Sequence, residues 1–187
     1  MPTPYERLGL RTFINARGTI TTLGGSIMPD EVVQAMVEAS RNFVHLNELH
    51  EKAGARIAEL TGAEGAFISA GAASGLLLAG AACLTGTDTQ AIANLPNIGD
   101  RRNEFVISLV DSHYYVHQGF CVAGGTLRKI GSKDAVTLEN YVEAIGPKTA
   151  AVVYFLGSQP IEDLPAIVAG AHAQDVPVIV DAAAQLP

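Results

Sequence analysis

The sequence predicts an α/β protein whose open, mostly parallel sheet is flanked by helices. Short apolar runs alternate along the 187 residues with stretches in which apolar residues recur at helical spacing. The runs that resemble strands are apolar along their whole length, which is typical of parallel strands covered by helices on both faces. Hydrophobic residues make up 48% of the chain and charged residues 17%, a composition that excludes intrinsic disorder and indicates a large core.

The first third of the chain is predicted to be an N-terminal arm of helices, separate from an α/β domain that is incomplete. We place the arm at residues 1–62 and the domain at residues 63–187. Pro29 suits the first turn of a helix, because the N–H that proline lacks has no helical partner there. A second helix is predicted over residues 45–60, since its apolar side chains share one side and Gly62 can end it.

Beyond the arm, predicted strands and helices alternate. The predicted strands are residues 66–69, 105–110, 126–130, 150–156 and 177–181. Helices are predicted at residues 72–84, after the capping residue Thr137, and around the inward-facing set Leu164, Ile167, Val168 and Ala171. The polar connection at residues 87–103 is longer than most connections in compact domains, so we expect it to be functional or mobile.

The net charge and the cysteines indicate which classes of partner the protein binds and which cellular compartment it occupies. The net charge is −7, and an acidic chain without a basic stripe disfavours a nucleic-acid partner. Cys83 and Cys121 lack a Cys-x-x-Cys spacing and are predicted to be buried thiols in a reducing compartment. The N-terminus has no apolar signal-peptide core, and the most apolar run, residues 71–84, is too short to span a bilayer. We therefore predict a cytoplasmic protein without a membrane partner.

The small-residue loop at residues 69–75, between a predicted strand and a predicted helix, is the first candidate site. Free N–H groups at the helix start, helped by the helix dipole, would bind an anion. Tight packing of the helix on the sheet requires the same small residues, so the loop alone does not decide between the two interpretations. The loop matches neither a Walker A motif nor Gly-x-Gly-x-x-Gly. A serine hydrolase is not supported, because Ser69 lacks the Gly-x-Ser-x-Gly pattern.

Two further candidates follow predicted strands. Asp181 ends the last strand, and ligands of open α/β sheets bind outside the carboxyl ends of strands. Alternatively, Asp181 caps the turn that follows, which is the commoner role of such a residue. His113 and His117 have a spacing that could serve a metal hydrolase, but no third ligand accompanies them and we predict no metal site. His113 could equally stack on a planar cofactor or line a cleft.

Three stretches together resemble fold-type I pyridoxal-phosphate enzymes. More narrowly, they resemble the selenocysteine-synthase-like branch, which contains L-seryl-tRNA selenium transferases and relatives of D-glucosaminate-6-phosphate ammonia lyase. Residues 14–19 (Ile-Asn-Ala-Arg-Gly-Thr) resemble the opening strand of the family. Residues 59–66 (Glu-Leu-Thr-Gly-Ala-Glu-Gly-Ala) lead into the small-residue loop in the family's order and spacing. Residues 180–187 (Val-Asp-Ala-Ala-Ala-Gln-Leu-Pro) resemble the strand end that holds the pyridine nitrogen.

The resemblance implies pyridoxal 5'-phosphate as the cofactor and the transferase large domain, here incomplete, as the fold. Backbone N–H groups around Gly71, Ala72 and Ala73 would hold the phosphate group. Ser158 would contact the cofactor or the substrate.

The resemblance also assigns residues to the cofactor ring. The His113 imidazole would lie over one face, and Ala183 would pack on the other. Asp181 would keep the pyridine nitrogen protonated, which makes the ring an electron sink for a carbanion at the substrate's α-carbon.

The resemblance implies that the lysine that binds the cofactor covalently is not in this chain. The lysine that the family joins to the cofactor as a Schiff base lies a few tens of residues after the Asp181 position. Lys52, Lys129, Lys133 and Lys148 all precede that position. The chain also ends just past a strand, so we expect the N-terminal portion of a longer enzyme and predict that this portion alone is inactive.

The implied reaction is that of a lyase. It would remove the α-proton of a small amino acid or amino-sugar acid, eliminate a β-leaving group and release ammonia. The acidic charge favours a small-molecule substrate over a tRNA, as does the segment at residues 21–26, which departs from the selenium transferase pattern. The alternatives are a selenium transferase, an aldolase, a racemase or an aminotransferase of the same fold. A non-catalytic remnant or binding fragment is a further alternative.

The resemblance also implies a homodimer or a larger homo-oligomer, because fold-type I enzymes usually build each active site from two subunits.

Overall fold

The computed structural model describes residues 2–183 and residue 185. Its helices are α1 Pro4–Arg7, α2 Asp30–Ala39, α3 Leu46–Thr61, α4 Ala72–Thr85, α5 Thr89–Asn94, α6 Tyr114–Val122, α7 Leu138–Ala144 and α8 Leu164–His172. Its strands are β1 Glu104–Ser108, β2 Thr126–Ile130, β3 Thr149–Phe155 and β4 Val178–Asp181. Ala184, Leu186 and Pro187 of the family-like stretch at the end of the chain lie outside the described residues.

The four strands form one parallel sheet in the order β2-β1-β3-β4. In the register, Phe105 of β1 lies opposite Leu127 of β2 and Ala151 of β3, and Val153 of β3 lies opposite Ile179 of β4. Each strand is connected to the next by a segment that contains a helix, as parallel pairing requires. The predicted fold class is confirmed.

Helices cover both faces of the sheet, which explains why β3 is buried along its whole length. On one face, α4 and α6 pack against β1 and β3 around Phe105, Ile107 and Phe120. On the other face, α7 and α8 pack around Tyr141 and Tyr154. The core therefore lies in two layers, one on each side of the central strands.

The chain divides into two compact units, Met1–Ala53 and Gly54–Pro187. The first unit contains α1, α2 and the beginning of α3, and no residue of α1 or α2 is buried. Several of its large apolar side chains are fully open to solvent, among them Ile14, Ile27 and Phe43. The second unit contains the sheet and both layers of its core.

Two predictions about local structure are wrong. Residues 66–69 do not form a strand, because they make no ladder with another strand among the described residues, and Phe67 and Ile68 are exposed. Cys121 is exposed instead of buried, since α6 buries Val116 and Phe120 and position 121 lies on its outer side. Cys83 is partly buried, and this burial raises the pKa of its thiol.

The polar connection at residues 87–103 contains the short helix α5, which the sequence did not predict. Asp88 caps α5 by accepting hydrogen bonds from the N–H groups of Gln90 and Ala91. Within residues 2–183 and 185, no helix combines the length and the apolar character that a membrane crossing requires.

Candidate functional site

The carboxyl ends of β1, β3 and β4 meet at one edge of the sheet, because these strands are parallel neighbours. His113 follows β1, Ser158 follows β3, and Asp181 is the last residue of β4. Three of the predicted site residues therefore follow adjacent strands. This is the edge at which open α/β sheets bind their ligands.

A pocket of about 250 Å³ lies between the start of α4 and the end of β4. Of the predicted site residues, Ala72, Asp181 and Ala183 line this pocket, together with Gly75. Gly71 and Ala73 flank Ala72 at the same helix start but are not part of the wall. Most of the lining is formed by small side chains, which leaves the backbone accessible to a ligand.

The start of α4 has no side-chain cap. The hydroxyls of Ser69 and Ser74 both donate hydrogen bonds to the carbonyl oxygen of Gly71, at 2.9 and 2.8 Å, so they are used as donors there. Gly71 has φ 144°, a conformation that favours glycine. Because the first N–H groups of a helix have no helical acceptor, this helix start offers donors and a positive dipole end to an anion.

A side chain at position 75 would not fit easily. A Cβ added to Gly75 would lie 3.2 Å from Oγ of Ser69, which is tighter than an ordinary contact. The close approach of α4 to the preceding loop therefore explains one of the small residues. The packing interpretation of the loop therefore applies to Gly75.

Asp181 takes the turn-capping role that the sequence analysis named as an alternative. Its Oδ1 accepts a hydrogen bond from the N–H of Ala183 at 3.0 Å. Within the described residues, Oδ2 has no hydrogen-bond partner. The turn therefore fixes the direction of the carboxylate and leaves one oxygen available to a ligand.

His113 and Ser158 lie in a second cluster, centred on the buried carboxylate of Asp111. Oδ1 of Asp111 lies 2.6 Å from Nδ1 of His113 and accepts a hydrogen bond from the Ser158 hydroxyl at 3.4 Å. Oδ2 accepts the backbone N–H of His113 at 2.9 Å. The side chain of His113 is 57% exposed, whereas Asp111 is almost completely buried.

His117 is the other histidine of this cluster. Its ring is buried and stacks on Phe155, with ring centroids 5.6 Å apart, and its Nε2 lies 3.6 Å from Oδ2 of Asp111. Neither ring nitrogen has a hydrogen-bond partner among the described residues. Burial lowers the pKa of His117, and the nearby Asp111 carboxylate opposes this shift only in part.

The two histidines do not form a metal pair on one helix face. His113 is the residue before α6, and His117 points into the core. Within the described part of the chain, no group of three or more His, Cys, Asp and Glu side chains is arranged to hold a metal ion.

The sequence alone predicts no role for Asp111 or for a buried His117. One signal was available for Asp111, because an aspartate two residues before a histidine at a strand end is typical of a turn closed by the carboxylate. Nothing in the sequence indicates that Ser158, 47 residues away, shares this carboxylate.

A larger pocket of about 390 Å³ lies at α5 and the loop after it. Its lining includes Asp88 and Arg101, which form a half-exposed ion pair. The N–H of Ala91 and the Arg101 guanidinium hold the pKa of Asp88 below its ordinary value. None of the predicted site residues lines this pocket.

Comparison with known proteins shows which proteins the chain is similar to. No family model matches it. A D-glucosaminate-6-phosphate ammonia lyase of Salmonella typhimurium is 35% identical over 98% of this chain and 52% of its own length. A 5'-C-glycyluridine monooxygenase-decarboxylase of a Streptomyces species is 34% identical over 97% of this chain and 48% of its own length. An L-seryl-tRNA(Sec) selenium transferase of Desulfomicrobium baculatum is 28% identical over 88% of this chain.

A solved structure of D-glucosaminate-6-phosphate ammonia-lyase matches with a TM-score of 0.88 and 34% identity, over 97% of this chain and 51% of that one. The fold is therefore that of the pyridoxal-phosphate-dependent transferases of fold type I. Within this class, sequence and structure fit about half of a member of the selenocysteine-synthase-like branch. The resemblance stated from the sequence is confirmed, and the chain spans about half the length of the first two curated relatives.

Proposed function

We propose that the chain is the cofactor-binding portion of a pyridoxal-phosphate-dependent lyase that releases ammonia from an amino-sugar acid or a small amino acid. The observation that carries the proposal is the pocket between the start of α4 and Asp181. The similarity to D-glucosaminate-6-phosphate ammonia lyase supports the lyase reaction and the class of substrate.

The helix start fits the phosphate end of this cofactor. The backbone N–H groups of Ala72 and Ala73 are donors that no side chain caps, whereas the N–H of Gly71 donates to the hydroxyl of Ser69 at 3.5 Å. A dianionic phosphate is stabilised at such a helix end by the dipole and by hydrogen bonds from the backbone.

The end of β4 fits the ring of the cofactor. Oδ2 of Asp181, which has no hydrogen-bond partner among the described residues, can accept a hydrogen bond from a protonated pyridine nitrogen, while Oδ1 keeps its hydrogen bond from the N–H of Ala183. Ala183 offers a small surface to one face of the ring, Ser158 follows the neighbouring strand β3, and His113 follows β1, the next strand in the sheet. We propose that His113 covers the other face and that Ser158 contacts the cofactor or the substrate.

When bound, pyridoxal phosphate would supply an electron sink for negative charge at the substrate's α-carbon. This chain would anchor the phosphate at α4, keep the ring nitrogen protonated through Asp181, and orient the ring between His113 and Ala183. The lysine expected for proton transfer is not among the residues of this chain. We therefore expect the 187 residues alone to bind the cofactor without covalent attachment and to be inactive.

A binding titration tests the cofactor site directly. The chain is titrated with pyridoxal 5'-phosphate, and the bound fraction is followed by the absorbance of the ring and by ³¹P NMR. We expect Ala73→Asp to weaken binding at least about tenfold, because a carboxylate at the helix start repels the phosphate. Ala73 is exposed, and an acidic residue in a first helical turn is favourable for folding.

Ala73→Asn is the matched control, because it has the same shape as the aspartate without the charge. Equal weakening by both variants, or no effect of either, would contradict a phosphate site at α4. Binding of pyridoxal as tightly as its phosphate would contradict it as well.

A second candidate activity is a decarboxylase. The Streptomyces 5'-C-glycyluridine monooxygenase-decarboxylase is almost as similar to this chain as the ammonia lyase is. Assays of the intact parent, the longer enzyme of which this chain is proposed to be a portion, distinguish the two activities. A lyase releases ammonia from its substrate, and a decarboxylase releases carbon dioxide. D-Glucosaminate 6-phosphate and 5'-C-glycyluridine are the substrates to compare.

We propose that the functional form contains a second copy of the chain. The exposed apolar side chains of the first unit, such as Ile14 and Phe43, support an association that covers them. Sedimentation velocity of the intact parent tests this proposal, and a single monomeric species at micromolar concentration would contradict it.

A further inference from the structure

The carboxylate of Asp111 lies buried among several donors at the carboxyl ends of the strands, and the proposed function does not use it. It is 1% exposed and receives hydrogen bonds from the backbone N–H and the ring of His113 and from the hydroxyl of Ser158. Burying a carboxylate is costly unless donors surround it. A buried carboxylate at this place therefore requires a reason other than the packing of the core.

We propose that Asp111 is a positioning residue that fixes the tautomer and the ring orientation of His113. This inference rests on the proposed function, in which His113 covers one face of the cofactor. A carboxylate accepts hydrogen bonds and cannot donate them, so the 2.6 Å contact between Oδ1 and Nδ1 requires the proton to be on Nδ1. In the neutral imidazole, the other ring nitrogen, Nε2, then carries the lone pair.

Asp111 accepts two hydrogen bonds from His113, and together they fix the imidazole ring more firmly than one hydrogen bond would. Oδ2 of Asp111 holds the backbone of His113, and Oδ1 holds its ring. The Asp111 carboxylate thus fixes both the backbone of His113 and the orientation of its ring. An imidazole that is more than half exposed would otherwise sample several rotamers.

The carboxylate of Asp111 is itself contacted from two other elements. Ser158, after β3, donates to Oδ1, and the buried ring of His117 on α6 lies 3.6 Å from Oδ2. His117 is in turn fixed by stacking on Phe155 of β3. The position of His113 is therefore determined by the core of the domain, although its own ring faces solvent.

Asp111→Asn tests this proposal, because it changes the hydrogen-bonding capacity of the side chain at position 111 and preserves its shape. An amide at position 111 can donate to Nδ1 of His113, which favours the opposite tautomer with the proton on Nε2. The tautomer is read from long-range ¹H–¹⁵N correlations of ¹⁵N-histidine in the 187-residue chain at about pH 8, without cofactor. His113→Gln identifies the signals of His113, and the exposed His172 serves as the internal reference.

We expect the wild-type chain to hold the proton on Nδ1 of His113, and Asp111→Asn to make the Nε2–H tautomer the major form. A wild-type spectrum in which His113 has its proton on Nε2, or averages between the tautomers as a free histidine does, would overturn the proposal. An unchanged His113 spectrum in folded Asp111→Asn would overturn it too. If Asp111→Asn does not fold, the wild-type spectrum alone decides.

The outcome is separable from that of the proposed function. The tautomer is measured without cofactor, whereas the cofactor site is tested by the Ala73 variants. A fixed Nδ1–H tautomer in a chain that does not bind pyridoxal phosphate would support the role of Asp111 on His113 and contradict only the cofactor site.

Discussion

His117 shows how burial sets the protonation of a single residue. Its ring is enclosed between α6 and β3, and burial lowers the pKa of the imidazole. The Asp111 carboxylate acts in the opposite direction, and Lys129 adds to the lowering. The folded protein therefore holds this histidine in the neutral form at pH values where an unfolded chain binds a proton.

This shift predicts a pH dependence of stability. Below the ordinary histidine pKa of 6.5, the unfolded chain binds more protons than the folded chain, so the free energy of unfolding falls on acidification. Above that value the contribution is constant. Urea unfolding between about pH 7.5 and about pH 5.5 measures the slope. We expect His117→Gln to reduce the slope of the free energy of unfolding against pH. His172→Gln, an exposed control, is expected to leave this slope unchanged. The same slope in His117→Gln as in the wild type would contradict the prediction.

Substitutions at Asp181 separate the effect of its negative charge from that of its hydrogen bond to Ala183. Asparagine at this position retains an oxygen for the N–H of Ala183 but loses the negative charge. In the longer enzyme of which this chain is proposed to be a portion, we expect Asp181→Asn to lower kcat by on the order of 100-fold or more, and Asp181→Ala to abolish turnover, because in the proposed site the ring nitrogen would lose its charged partner. Steady-state kinetics with the cofactor at saturation measures the effect. Unchanged kcat in either variant would contradict the role of Asp181.

At the scale of elements, α7 shows how a local sequence signal defines a helix. Thr137 accepts a hydrogen bond from the N–H of Asn140, and the Asn140 side chain accepts from the N–H of Thr137. These reciprocal bonds satisfy two donors at the helix start. They position α7 so that Tyr141 packs in the core, where its hydroxyl is hydrogen-bonded to Gln159 and burial raises its pKa to about 12.

Removal of this cap has a predictable cost. We expect Thr137→Ala to reduce the free energy of unfolding by about 1 kcal/mol, because an orphaned N–H is then left at the start of α7. Thr137→Ser retains the hydroxyl and is expected to cost less. Urea denaturation of both variants measures the difference, and equal stability of the alanine variant and the wild type would show that the cap contributes nothing.

At the scale of the whole molecule, the sheet brings together residues that are far apart in the sequence. The pocket joins the start of α4 to the end of β4, which are about a hundred residues apart along the chain. A ligand that binds both ends connects the helix to the sheet. Because it binds only the folded state, such a ligand stabilises the domain.

We therefore expect pyridoxal 5'-phosphate to raise the Tm of the chain. At a free concentration of about 100 times Kd, the added stability is about 2.7 kcal/mol. Differential scanning calorimetry measures the shift, with pyridoxal as the control ligand that lacks the phosphate. An equal shift with both ligands would show that the phosphate does not contribute.

The elements that the sequence predicted well are those with strong local signals. The strand predicted at residues 126–130 has those bounds, and β3 differs from its prediction by one residue at each end. Their apolar runs and the capping residue of α7 are local features, and the alternation of strands and helices was enough for the fold class. The family resemblance was likewise available in short motifs.

The tertiary structure decided what depends on distant residues. The run at residues 66–69 is apolar but is not a strand, since a strand exists only with a partner. The exposure of Cys121 follows from the face that α6 turns toward the core. Asp111 contacts Ser158 only because β1 and β3 are adjacent in the sheet. The sequence alone predicted the fold class, the resemblance to a family and a set of candidate residues, because these depend on local patterns, whereas the pairing of those residues depended on which strands lie side by side.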